Sequence, residues 1–134
     1  MHSYLYTGSD KANAVQRLAI GTAGMQQPTL VVRFGPADAA DPLTFWAGKM
    51  PGILPLDVMR VRLPGLDWPL SHTPADEVAV QTAMGLLTQI ITSGPYRLVI
   101  LDGIHEMVSC QLLDRAVLAR LAACSSDETR VAMT

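Results

Sequence analysis

RLVILD, residues 97–102, is the stretch on which the fold turns. Leu98, Val99, Ile100 and Leu101 are four consecutive large apolar side chains, and in a strand successive side chains point to opposite faces. Both faces of this strand must therefore be covered, which is the condition of a mainly parallel sheet with helices above and below it. A strand with one wet face would alternate instead. We accordingly place 97–101 at the centre of a sheet and Asp102 at its C-terminal end.

Working outward, strand-like runs alternate with helix-like runs, as βαβ units require. TLVVRF at 29–34 is a second β-branched run, closed by Gly35 and Pro36. DVMRVRL at 57–63 is a third, closed by Pro64-Gly65. A short strand at 3–6 opens the chain and RVAM at 130–133 is the last strand. Val15, Leu18, Ala19 and Thr22 recur at i, i+3, i+4 and i+7, which predicts a first helix ending near Gly24. The longest helix has Thr73 as cap, Pro74 at its first position and the stripe Val80, Ala83, Met84, Leu87 and Ile91, with Gly94-Pro95 closing it. A further helix is expected over 112–124, with His105 and Glu106 in a loop after Asp102. Pro36, Pro42, Pro51 and Pro55 leave room between them for one short helix at 43–49. The expectation is a single domain over 1–134: an α/β fold with about five strands in a mainly parallel sheet and helices on both faces, a three-layer sandwich.

Composition narrows the functional classes. With 134 residues, 49% hydrophobic and 16% charged, the chain can bury a core and does not have the composition of a disordered segment. The net charge is −2 with ten scattered Lys and Arg, so no basic footprint for nucleic acid is expected. No apolar run nears the roughly 18 residues of a membrane span, and no charged segment followed by an apolar run and cleavage site opens the chain. A cytoplasmic location is expected, with neither nucleic acid nor membrane as partner. Cys110 and Cys124 lack metal-ligand spacing and read as reduced, half-buried helix thiols. His2 and His72 are isolated, Trp46 and Trp68 lie in proline-rich loops, and Lys49, Arg60, Arg62 and Arg97 read as solubility charges.

The segment between first strand and first helix is where a phosphate-binding loop would sit. Such a loop needs glycines free to take positive φ, a lysine for phosphate oxygens and a hydroxyl for Mg²⁺. Here it reads Thr7, Gly8, Ser9, Asp10, Lys11, Ala12, Asn13, Ala14. Only Gly8 keeps its place. Counting on from Gly8, the second glycine position falls on Asn13 under strict GxxxxGK[ST] spacing and on Ala12 if the loop is one residue shorter; in the shorter register Asn13 and Ala14 take the lysine and hydroxyl positions, and neither an amide nor a methyl can do that chemistry. Asp10 would repel phosphate, although Lys11 offsets part of its charge. An ordinary strand-to-helix turn built on Gly8 explains the same residues. A strand-end carboxylate such as Asp102 is where a nucleotide-binding sheet places its Mg²⁺ partner, while the plain alternative is an Asp that ends the strand and caps a turn. Gly103 follows it, so no second acid stands beside it, and Glu106 could replace one only if the loop folds back. His105 is a base or ligand candidate in the same loop.

In order and spacing these segments resemble the P-loop ATP:corrinoid adenosyltransferases over nearly the whole chain. YTGSDKANAV at 6–15 is similar to the family's YTGxGKGKTT loop, VVRF at 31–34 to its VVQF strand, PGLDW at 64–68 to its GxGFTW segment, YRLVILDGI at 96–104 to YDLVVLDEI, and the 131–134 strand to VILTG. The resemblance implies a P-loop NTPase-like fold, ATP on the loop, Mg²⁺ assistance and transfer of a 5′-deoxyadenosyl group to cobalt(I) of a corrinoid. Gly8 and Lys11 match loop positions, Asp102 the strand-end acid and Trp68 an aromatic near the substrate, with His105 and Glu106 at the same ligand edge. Asp10, Ala12, Asn13, Ala14 and Gly103 depart from it. The expected function is thus an adenosyltransferase-like paralogue with a degenerate loop, having lost ATP-dependent transfer, with no catalytic residue or metal ligand assigned. It would bind a corrinoid or another small ligand, or a protein partner, including a second copy in a homodimer. The alternatives are an active enzyme that uses ATP, Mg²⁺ and corrinoid with Lys11 substituting for the lost lysine, and an oligomerising structural domain whose sheet, ending after Met133, leaves an edge for another subunit.

Overall fold

A computed structural model of the chain describes residues 3–5, 11–35, 43, 54–63 and 73–134, with the backbone alone at 3–5 and 11–13. Five strands, β1 (Ser3–Leu5), β2 (Thr29–Gly35), β3 (Leu56–Arg62), β4 (Leu98–Asp102) and β5 (Arg130–Met133), form one sheet in the order β1-β5-β4-β2-β3. Every neighbouring pair is parallel. β4 is the middle strand, and Leu98, Val99, Ile100 and Leu101 are fully buried, as the apolar run requires.

The helices divide between the two faces. Val15, Ala19 and Ala23 of α1 (Lys11–Gly24) pack with Val31, Leu98, Ile100 and Ala132 on one face, joined by Leu43. The other face takes α2 (Pro74–Ser93), α3 (Ile104–Ser109) and α4 (Arg115–Ala123), which cover Leu30, Val32, Val99, Leu101 and Val131. The chain order accounts for this division. The connections from β1 to β2 and β2 to β3 run across the sheet in one direction, those from β3 to β4 and β4 to β5 in the other. Crossovers of one hand that travel in opposite directions must lie on opposite faces.

Local sequence sets the helix ends. Thr73 and Asp76 form a capping box on α2: the Asp76 amide donates to the Thr73 hydroxyl at 3.3 Å and the Thr73 amide to the Asp76 carboxylate at 2.9 Å. Two of the orphan amides of the first turn are satisfied in this way. The stripe Val80, Ala83, Met84, Leu87 and Ile91 is buried, each large member contributing about 1.5–3 kcal/mol. At the far end the Gly94 amide donates to the Ile90 carbonyl at 2.8 Å, and a Cβ on Gly94 would lie 2.4 Å from that oxygen.

Several expectations are corrected. His105 and Glu106 do not lie in a loop, since α3 carries them. The helix expected over 112–124 begins only at Arg115, capped by Asp114, because Gln111 takes a positive φ of 66° and separates α3 from α4. Six residues is too short a span for helical periodicity to emerge, and the buried Leu112 and Leu113 carry the apolar pattern through the turn. Tyr6, expected to end the first strand, lies outside the described residues, and β3 runs over Leu56–Arg62. β5 lies between β1 and β4, so among the described residues the outer strands of the sheet are β1 and β3. Of the short helix expected over 43–49, only Leu43 is described, and it is helical and fully buried. Cys110 and Cys124 are half-buried thiols at the ends of α3 and α4, not joined in a disulfide. Among the described residues no helix is long and apolar enough to cross a membrane.

Candidate functional site

Ligands of open parallel sheets bind beyond the C-terminal ends of the strands, where neighbouring strands send their connections in opposite directions. Here that switch point falls between β2 and β4. The chain leaves β2 toward β3 and leaves β4 toward β5, so the strand connections part at this point. Arg33 and Asp102 sit on its two sides in direct register.

Strand parity decides which face these side chains take. Leu30, Val32 and Phe34 point into the α2 side, so Arg33 points with Val31 to the α1 side. By the same alternation Asp102 follows Leu98 and Ile100 to that side. The two meet there: Arg33 Nη1 donates to Asp102 Oδ2 in a salt bridge, with the side chains 21% and 18% exposed. The other carboxylate oxygen, Oδ1, accepts from the Thr134 hydroxyl at 2.6 Å. That hydroxyl in turn accepts from the Gly103 amide at 2.9 Å, and the Thr134 carbonyl accepts from the His105 amide at 3.1 Å. Both oxygens of Asp102 are thus engaged, one by a side chain of β2 and the other by the residue that follows β5.

Gly103 has a structural reason to be glycine. It takes φ of 89°, and a Cβ there would lie 2.8 Å from the Phe34 carbonyl oxygen, so β2 passes too close for any side chain. It also starts α3 without a side-chain cap, which means Asp102 does not serve as that cap.

Of the residues named from sequence, Asp102 lies at the switch point, and His105 is tied to it through its amide bond to Thr134. Glu106 is half-buried in the first turn of α3, with its carbonyl accepting from the Cys110 amide at 3.0 Å. Lys11, Ala12, Asn13 and Ala14 all belong to the first turn of α1, with Ala14 half-buried. Thr7, Gly8, Ser9, Asp10 and Trp68 lie outside the described residues. Sequence reasoning missed Arg33 and Thr134. A signal for Arg33 existed: TLVVRF and RLVILD are matching apolar runs, and a charge of opposite sign follows each at a corresponding position. Thr134 carried none.

Among the described residues no group of three or more His, Cys, Asp or Glu is placed to hold a metal ion. No family model and no curated protein matches the sequence.

Proposed function

We propose that this chain is a corrinoid adenosyltransferase-like domain that has lost ATP-dependent adenosyl transfer and binds a small ligand or a partner protein at the C-terminal edge of its sheet, a corrinoid being the first ligand to try. The observation that carries the proposal is Gly103. In the resembling family a glutamate follows the strand-end acid; here that position has φ of 89° and no space for a Cβ. A second acid at that position is therefore disfavoured by backbone geometry as well as absent from the sequence.

The first turn of α1 supports the same conclusion. Asn13 and Ala14 occupy the lysine and hydroxyl positions, and neither supplies a positive charge for phosphate or an oxygen for Mg²⁺. The residues present do not fit Mg-ATP. The β2–β4 switch point remains the natural place for a ligand.

Titration calorimetry tests this directly. Mg-ATP is expected to give no binding tighter than about 100 μM, while a corrinoid binds. A nucleotide Kd below that value would restore the active-enzyme reading. Reinstating the loop chemistry with Asp10→Gly, Asn13→Lys and Ala14→Thr together is expected to raise nucleotide affinity at least tenfold.

A further inference from the structure

We propose that Arg33 is a built-in cation that takes the place of a divalent metal ion on Asp102, so that the site binds its ligand without metal. The inference rests on the C-terminal edge being the binding edge, and it goes beyond the loss of ATP chemistry by naming what replaced the metal.

A strand-end carboxylate at a switch point is an uncompensated charge unless something positive meets it. Mg²⁺ would do so at about 2.0–2.1 Å, in near-octahedral geometry and with several waters retained. Around Asp102 that geometry has been taken over by protein. Arg33, in direct register on the adjacent strand, donates to Oδ2, and Thr134 donates to Oδ1. A guanidinium is charged at every accessible pH, so its charge on this side of the carboxylate is permanent. A dication bound to either oxygen would sit against that fixed positive charge. Thr134 is equally committed, since its hydroxyl proton goes to Asp102 and its lone pair receives the Gly103 amide. With most of both the acidic and the basic side chain covered, little room is left for the waters that Mg²⁺ keeps.

Manganese(II) alone is the probe, since it reports metal binding whatever the organic ligand is. In ¹⁵N-labelled wild-type protein, millimolar Mn²⁺ is expected to leave the Gly103 and Thr134 amide signals unbroadened. Broadening there that disappears in Asp102→Asn would overturn the proposal. Arg33→Gln is expected to gain Mn²⁺ binding at least tenfold over wild type by electron paramagnetic resonance, and Arg33→Gln with Asp102→Asn to lose it. A folded Arg33→Gln that gains nothing also overturns the proposal. Should Arg33→Gln fail to fold, the wild-type titration decides alone. These outcomes are independent of the calorimetry above: a protein that binds corrinoid yet takes Mn²⁺ at Asp102 sinks only the built-in cation.

Discussion

The two ends of the sheet use an aspartate to join strands in different ways. At the N-terminal end, Asp57 of the edge strand β3 is exposed and accepts from the Tyr96 hydroxyl at 2.6 Å. The Tyr96 carbonyl accepts from the Thr129 hydroxyl at 2.8 Å, so Tyr96 stitches the entries of β3, β4 and β5 together, by its phenol on one side and its backbone on the other. At the C-terminal end, Asp102 of the central strand meets a full charge and a second hydroxyl, at the point where the connections of β2 and β4 part. One carboxylate remains in water and needs only a hydrogen bond. The other is largely withdrawn from water and needs a cation, because a desolvated charge left alone costs far more than an unsatisfied dipole. Burial and strand position thus make one aspartate a stitch and the other the centre of a site.

The largest effect expected is at Gly103. Gly103→Ala forces a Cβ against the Phe34 carbonyl at positive φ and is expected to destabilise the chain by about 3 kcal/mol in urea unfolding. A cost below about 1 kcal/mol would mean that β2 and α3 can separate, and that a side chain is tolerated beside Asp102 after all.

Next comes the contrast between the aspartates. Asp102→Asn removes the negative charge from the bond that Arg33 makes to this position, at an expected cost of about 2 kcal/mol. Asp57→Asn at the exposed edge is expected to cost about 0.5 kcal/mol. Equal losses at the two positions would erase the distinction between site and stitch.

The smallest effect is a pH dependence at Tyr96. Burial first, then the hydrogen bond to Asp57 and its charge, push the phenol from 10.0 up to about 12. Between those values the folded state holds a proton that the unfolded state has released, so stability falls as pH rises through that window and is fully present below 10. Tyr96→Phe is expected to flatten the decline in melting temperature between pH 10 and about pH 12. An unchanged slope would place the alkaline transition elsewhere.

Much of the architecture was legible because it is local. Four adjacent apolar residues cannot lie in a half-wet strand, which put 97–101 at the centre. Thr73, Pro74 and the stripe from Val80 to Ile91 announced α2 through capping chemistry and the helical period. α3 was not legible, since its six residues complete fewer than two turns and its buried Ile104 and Met107 continue the apolar character of the strand before it. Of the candidate site, Asp102 was visible as a charge ending an apolar run. Arg33, 69 residues away, left only the trace of an opposite charge in a matching apolar run, and Thr134, 32 residues away, left none.

The sequence by itself determined the parallel α/β class, the central strand, the caps of α2 and the absence of lysine and hydroxyl chemistry at Asn13 and Ala14. Each follows from interactions within a turn or two of the chain, or from what a side chain lacks in any conformation. Only the tertiary structure decided that β2 lies beside β4 in a register matching Arg33 to Asp102, that the end of β5 delivers the Thr134 hydroxyl to the same carboxylate, and that the Phe34 carbonyl leaves Gly103 no room for a side chain. Strand order and register come from how crossovers of one hand pack two helical layers, and no segment carries that information alone.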